Sequence, residues 1–176
     1  FYNNYGFSEA FAERIKEADP SRFDHVLFSF HGLPERHLTK LHTRGNPCSN
    51  CLCETGTSSD ESVCYKAQCY QTVMTLAKIV GLEQYGFSVG FQSRLDKKWL
   101  KPFSDVMIAR MPSQGVKRLL VVSPSFVADC LETTVEIGLE YKELFLENGG
   151  EELVMVESLN DQPIWVKNLA KIIIDN

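Results

Sequence analysis

Residues 24–34 of this chain read Asp24-His25-Val26-Leu27-Phe28-Ser29-Phe30-His31-Gly32-Leu33-Pro34, and this stretch decides the fold class. Its first part is a near-continuous apolar run, which is typical of a strand buried on both faces of a parallel sheet. Helix-like segments precede and follow it. Strands that alternate with helices form βαβ units, so we predict an α/β domain with a doubly wound, mainly four-stranded parallel sheet and helices on both faces.

The other predicted elements follow from apolar periodicity and from glycine and proline signals. We predict strands at Asp24–Phe30, Tyr85–Ser93, Arg118–Ser123 and Leu153–Glu157. We predict helices at Ser8–Glu17, from a Ser62 cap to Val80 before Gly81, at Phe103–Arg110 with an end or kink near Pro112, at Leu131–Glu147, and from Pro163 to Ile174. Residues 31–61 lack periodicity, and we predict a long loop there.

Composition and charge indicate one globular domain. The chain has 176 residues, of which 44% are hydrophobic, and this suffices for one core. The net charge of −5 does not provide the positive charge that binds nucleic-acid phosphates, so we expect no nucleic-acid partner. We see neither an apolar run of ~20 residues nor a signal peptide, and we expect a reducing, cytoplasmic location. Because the chain begins at Phe1 rather than Met, we expect a piece of a longer protein.

Three places follow predicted strands, where parallel α/β sheets bind ligands: His31, Gln92–Trp99 and Ser123–Glu132. Imidazole titrates near neutrality and is a common metal ligand, so His31 is a candidate proton acceptor or metal ligand. The alternative is a loop histidine with a structural hydrogen bond.

An acidic row follows the third predicted strand. Glu132, Glu136 and Glu140 are four residues apart and would share one face of an α-helix, where like charges are mildly destabilising. This cost suggests a path for cations, since carboxylates bind hard cations. The alternative is a solvated helix face.

Two aromatic side chains lie near the same strand ends. Trp99 follows Gln92 and Ser93, and Phe126 follows the third strand. Either ring could stack on a flat ligand, and either could equally be a core aromatic residue.

The chain has six cysteines, and five of them lie between positions 48 and 69. Thiols at this density in a reducing compartment suggest a [2Fe–2S] cluster or zinc. The spacing does not decide which four of the five cysteines bind the metal: Cys48, Cys51, Cys53, Cys64 and Cys69. Cys69 lies inside the predicted helix and could instead be a core thiol. Cys130 is predicted to be a core residue.

Together these motifs resemble the ferrochelatase family over nearly the whole chain. The first is Val26–His37, which is similar to the family's strand and catalytic-histidine loop. The others are Phe91-Gln92-Ser93-Arg94 with Trp99-Leu100, the acidic motif Ser123–Thr133, and Glu157-Ser158-Leu159-Asn160. The first and third are long, so chance is a poor explanation.

The resemblance implies residue roles. His31 would be the metal-binding and proton-accepting catalytic histidine, Glu132 the carboxylate opposite it, and Asp129 a member of the same network that orients His31. Glu136 and Glu140 would conduct cations or protons. The porphyrin-binding surface would comprise Trp99, Gln92, Ser93, Phe126, Leu33 and Pro34.

The resemblance also implies partners and a cofactor. The substrates would be ferrous iron and a porphyrin, either protoporphyrin IX or coproporphyrin III. Residues 1–176 would be one C-terminal domain whose cleft is completed by an absent N-terminal half, and peripheral membrane contact is known in the family. Residues 43–69 hold a cysteine-rich insert and the start of a helix. Some members bind a [2Fe–2S] cluster through differently placed cysteines, so we favour Cys48, Cys51, Cys53 and Cys64 as ligands, with Cys69 as the substitute.

Two other functions remain open from the sequence. A cobalt or nickel chelatase acting on a tetrapyrrole would have the same fold, but such relatives use more histidine than His31 alone provides. A non-catalytic Fe–S or metal-binding module is the alternative from a different class. The sequence makes no prediction of an oligomeric state.

Overall fold

The computed structural model describes residues 2–40, 64–82 and 86–174. Its sheet has four parallel strands, β1 (His25–His31), β2 (Phe87–Gln92), β3 (Arg118–Val122) and β4 (Glu152–Met155), in the order β2-β1-β3-β4. In register, Val26 of β1 pairs with Phe87 of β2 and with Leu120 of β3. The predicted α/β class and four-stranded parallel sheet are confirmed.

Strand β1 is central and is buried on both faces, as its apolar run predicts. Val26, Phe28 and Phe30 belong to one core cluster. Leu27 points to the opposite cluster because successive side chains of a strand alternate between faces. A two-sided core requires helices on both sides of the sheet.

Helices supply both layers. On one face pack α1 (Tyr5–Glu17), α3 (Tyr65–Val80) and α6 (Pro163–Ile174). On the other pack α4 (Ser104–Arg110), a π-helix (Glu132–Tyr141) and α5 (Lys142–Glu147). A short helix, α2 (Glu35–Thr39), follows β1, and 3-10 turns lie at Pro20–Arg22 and Met111–Gln114. The domain is therefore doubly wound.

Several predicted boundaries need correction. The long loop predicted over residues 31–61 is wrong at α2, where five residues form a helix too short to show periodicity. Helix α1 begins earlier than predicted because the Asn4 side chain accepts a hydrogen bond from Phe7 N at 3.2 Å and caps it. The predicted Ser62 cap lies outside the described residues. Strand ends differ from prediction by one or two residues.

The predicted α-helix Leu131–Glu147 is wrong in type over ten residues. Glu132–Tyr141 is a π-helix, and only Lys142–Glu147 continues as α-helix. The side chains buried on this face are Thr133, Ile137, Tyr141 and Phe145. These residues are four apart, which is slightly more than the 3.6 residues of an α-helical turn. The i→i+5 hydrogen bonds of a π-helix make each turn wider, so a π-helix followed by an α-helix keeps all four side chains facing the sheet.

Within the described residues, we find no helix with the length and apolar content that crossing a membrane requires.

Candidate active site

The candidate site lies where the chain changes direction across the sheet. From β1 the chain passes to β2 on one side, and then returns to β3 on the other. Ligands of open α/β sheets bind in the crevice beyond the strand ends at such a switch point. Here His31 ends β1, and Ser125 follows β3. The Ser125 Oγ accepts a hydrogen bond from His31 N at 2.9 Å and ties the two strand ends together.

The His31 imidazole has a defined tautomer when it is neutral. Its Nδ1 lies 2.7 Å from the Gly32 carbonyl oxygen. A carbonyl can only accept, so Nδ1 carries the hydrogen and Nε2 carries the lone pair. Nε2 is thus the nitrogen that can take a proton or bind a metal.

Aromatic rings flank this imidazole. The Trp99 ring centroid lies 6.3 Å from that of His31, and the Phe126 ring centroid lies 6.0 Å away. Both aromatic residues are half-buried rather than core. The structure therefore brings the predicted aromatic residues to His31, with faces or edges available to a flat ligand.

The loop after β1 is pinned to the Trp99 segment. Pro34 forms an antiparallel bridge with Trp99, and Leu100 N donates to Leu33 O at 2.9 Å. A Cβ at Gly32 would lie 2.8 Å from the Gln92 carbonyl oxygen and 3.3 Å from the Trp99 ring, so only glycine fits there. Pro34 and Trp99 line a cavity of about 400 Å³, whereas Leu33 packs against the core.

Glu132 is the first residue of the π-helix and lies within electrostatic range of His31. The pKa of its carboxyl lies below the usual value, chiefly because the Cys130 thiol and the backbone N–H of Glu132 hydrogen-bond to it; a protonated His31 would lower this pKa further. Glu132 is therefore ionised at neutral pH. These two residues are far apart in sequence, and the fold brings them within electrostatic range of each other.

Glu136 is not an open member of an acidic row. Its carboxylate accepts hydrogen bonds from Ser93 N (2.8 Å), Ser93 Oγ (2.6 Å), Tyr141 Oη (2.8 Å) and Gln92 Nε2 (3.2 Å). Glu140, by contrast, is exposed. The α-helical stripe predicted for Glu132, Glu136 and Glu140 is wrong in its geometry, because the segment is a π-helix and its middle carboxylate is held by the protein.

Gln92 lies beneath the surface of the candidate site rather than on it. Its side chain is 1% exposed, accepts from Ser29 Oγ at 2.8 Å, and donates to the Glu132 carbonyl at 2.9 Å. Because this side chain is buried, it is not available to contact a porphyrin in this structure, and its predicted contact stays a prediction. Ser93 has a left-handed backbone (φ 60°), and its hydroxyl is engaged by Glu136. Both residues join β2 to the π-helix.

The hydrogen bonds of Asp129 go to residues other than His31, which the resemblance implied that it would orient. Its carboxylate accepts from Asn160 Nδ2 at 2.7 Å, Thr133 Oγ1 at 3.1 Å and Ser158 N at 3.3 Å. Burial raises the pKa of this carboxyl, but the bonds from Asn160, Ser158 and Thr133 outweigh burial and leave the pKa below its usual value. Asp129 instead attaches the start of the π-helix to the segment after β4.

Sequence reasoning missed two side chains that hold His31. Tyr65 Oη donates to His31 O at 2.8 Å, and Ser125 accepts from His31 N. Neither residue is predicted from the sequence to contact His31, although Ser125 lies within the acidic motif. Their contacts join elements that are 34 and 94 positions apart in sequence.

Most of the predicted cysteine ligands lie outside the residues that the structure describes. Cys48, Cys51 and Cys53 fall outside the described residues. Cys64 is the N-cap residue of α3 and is fully buried, and Cys69 is 2% exposed within α3. In the described parts of the chain, no group of three or more His, Cys, Asp or Glu side chains could hold a metal ion.

Fold and site together define a doubly wound α/β domain with an imidazole and a carboxylate near the strand ends where such folds bind ligands. The ferrochelatase family model matches residues 1–176, and the chain belongs to the ferrochelatase family. Curated ferrochelatases of Pseudomonas savastanoi pv. phaseolicola and Pseudomonas fluorescens are 46% and 44% identical to it over 98% and 97% of this chain. The chain spans about half the length of these relatives, 51% in each case.

Proposed function

We propose that this chain is the C-terminal half of an enzyme that inserts Fe²⁺ into a porphyrin to make haem. The observation that carries the proposal is the bond from His31 Nδ1 to Gly32 O, which leaves Nε2 with a lone pair. That nitrogen belongs to a ring flanked by two aromatic side chains and near an ionised carboxylate. A flat substrate, a proton acceptor and a negative charge are what this insertion requires.

The chemistry follows from the substrate. A free porphyrin carries two pyrrole protons, and both must leave as Fe²⁺ binds the four nitrogens, giving haem and two protons. In our proposal the neutral His31 accepts a pyrrole proton at Nε2 as a general base. Glu132, ionised at neutral pH, offsets the positive charge that arrives with the iron.

The absent first half supplies the opposite wall of the cleft in this proposal. The support is the length of the relatives, which are about twice as long as the chain. The half-exposed Trp99 and Phe126 would then be covered by porphyrin and by that half. The activity therefore has to be measured on the full-length protein.

The test is His31→Ala in full-length protein, assayed for Fe²⁺ insertion into protoporphyrin IX and coproporphyrin III. We expect a loss of at least about 100-fold, the lower range for a general base. His37→Ala is the matched control, because His37 is exposed on α2, and it should keep full activity. Normal metallation by the His31 variant, with a native fold, would refute the assignment.

We also propose a [2Fe–2S] cluster bound by Cys48, Cys51, Cys53 and Cys64, an assembly that four thiolates can hold. What supports Cys64 is its place at the N-cap of α3, where the helix dipole favours a thiolate. Cys69 fits less well, because it lies within α3 rather than at the end of the helix.

The cluster is tested by anaerobic purification followed by visible absorption and by iron and sulfide analysis. We expect equal iron and sulfide in the wild type, their loss in Cys64→Ala, and their retention in Cys69→Ala and Cys130→Ala. Zinc, or iron without sulfide, would contradict the proposal. Loss of iron and sulfide in Cys69→Ala, with their retention in Cys64→Ala, would show that Cys69 rather than Cys64 is the fourth ligand.

A further inference from the structure

The backbone at His31 is held by three hydrogen bonds that come from three different parts of the fold. His31 N donates to Ser125 Oγ at 2.9 Å. Tyr65 Oη donates to His31 O at 2.8 Å, and Gly32 N donates to Gln92 O at 2.9 Å. Only the last of these continues the β1–β2 ladder. The other two depend on side-chain hydroxyls.

The direction of the imidazole depends on this backbone. The ring is anchored through Nδ1 to the Gly32 carbonyl, which belongs to the next peptide in the chain. A tilt of the His31–Gly32 peptide therefore moves the anchor and turns Nε2 with it. Whatever holds the His31 carbonyl helps to set where the reactive nitrogen points.

Tyr65 is suited to that role. It is the first residue of α3 and packs, half-buried, against the core. Burial raises the pKa of its hydroxyl, with a smaller contribution from Cys69, so the phenol stays a hydrogen-bond donor at neutral pH. Its hydroxyl meets the end of β1 from the α3 side of the sheet.

Tyr65 also lies away from Trp99, one of the two aromatic residues that flank His31. With Phe30, Cys69 and Ser125 it lines a cavity of about 300 Å³. Trp99 lines a different cavity together with Pro34. This separation favours an action through the His31 backbone over a contact with the flat ligand.

We propose that Tyr65 is a positioning residue for metal insertion, whose hydroxyl holds the His31 carbonyl and so aims Nε2 at the substrate. The inference rests on the proposed function and deepens it. It predicts that removal of one hydroxyl, on a residue outside the ligand surface, slows the chemical step while binding of porphyrin is unchanged.

The test compares Tyr65→Phe with Tyr70→Phe in the full-length protein. Tyr70 lies on the same helix, and the Lys66 Nζ lies 5.8 Å from the centroid of its ring. Tyr70→Phe therefore serves as the control that also removes one tyrosine hydroxyl from α3. We expect Tyr65→Phe to lower kcat about fivefold to tenfold, the effect of one ordinary hydrogen bond, with KM for protoporphyrin IX within twofold. Tyr70→Phe should retain the wild-type kcat. Ser125→Ala, which removes the acceptor of His31 N, should behave like Tyr65→Phe.

A second readout does not depend on activity. The ¹⁵N shifts of His31 report which ring nitrogen carries the hydrogen, and in the wild type they should show the Nδ1–H form. In Tyr65→Phe both nitrogens should move toward the shifts of an unconstrained imidazole. An unchanged kcat, or unchanged ¹⁵N shifts, in Tyr65→Phe overturns the proposal. If the wild type inserts no iron, the proposed function fails, and the ¹⁵N shifts alone decide whether Tyr65 positions His31.

Discussion

At the scale of single residues, Glu136 differs from the acidic side chains on either side of it. Four donors point at its carboxylate, and two of them come from Ser93. Through Gln92 the same network reaches the backbone of Glu132. Glu136 therefore links the end of β2 to the π-helix, and a cation would have to displace these donors to use it as a ligand.

We predict that Glu136→Ala lowers the free energy of unfolding by about 2 kcal/mol, because it leaves several partly buried donors without an acceptor. Glu140→Ala removes an exposed carboxylate from the same helix and should change stability by less than about 0.5 kcal/mol. Urea denaturation of the two full-length variants measures both values. Equal small effects would show that Glu136 is as free as Glu140.

The positions of the candidate site residues were predictable from sequence where they depend on the order of strands along the chain. His31 directly ends an apolar strand, and Glu132 follows another, so the parallel sheet alone brings them to one edge. The roles of Gln92 and Asp129 depend on which donors reach which acceptors from elements far apart in sequence. Such pairings are set by packing, and no local pattern encodes them.

At the scale of elements, the strands were the most predictable features. The near-continuous apolar run of β1 suits a strand that is buried on both faces of a parallel sheet. The π-helix was not predictable, because the spacing of its buried side chains also fits an α-helix. Only packing against the sheet distinguishes the two.

The π-helix matters because it begins at the site. Its first residue is Glu132, and the Thr134 hydroxyl donates to the Cys130 carbonyl, just before the helix, at 2.8 Å. π-turns occur frequently at functional sites. Here the turn starts between Asp129, which is tied to Asn160, and Glu136, which is tied to β2. The carboxylate near His31 is thus placed by anchors on both sides of it.

At the scale of the whole molecule, the domain has a closed core on each face and an open ligand edge. Leu95 and Leu131 are 85% and 74% exposed in the segments that follow β2 and β3. Trp99 and Phe126 are half-buried beside His31. An apolar rim around a polar centre matches a flat apolar ligand with a reactive core, which agrees with the function proposed for the longer protein.

Stability of the whole fold should depend on pH through His25, at the start of β1. Its Nε2 lies 2.8 Å from Ser88 Oγ on β2. Burial lowers the pKa of this imidazole below the usual value of 6.5. Between the folded and unfolded pKa values, the unfolded chain binds more protons than the folded one. Stability from this group is therefore complete above about pH 6.5 and is lost as pH falls through the lowered pKa.

We predict that the free energy of unfolding of the full-length protein decreases from pH 7 to pH 5, and that His25→Gln makes this decrease smaller. Gln can still bond to Ser88 but does not titrate. His37→Gln, on the exposed face of α2, should leave the slope unchanged. The carboxyls of Asp24 and Asp129 have lowered pKa values, so they act at lower pH and are common to all three proteins. Urea denaturation across this pH range measures the slopes, and identical slopes for wild type and His25→Gln would show that the His25 imidazole is not desolvated on folding.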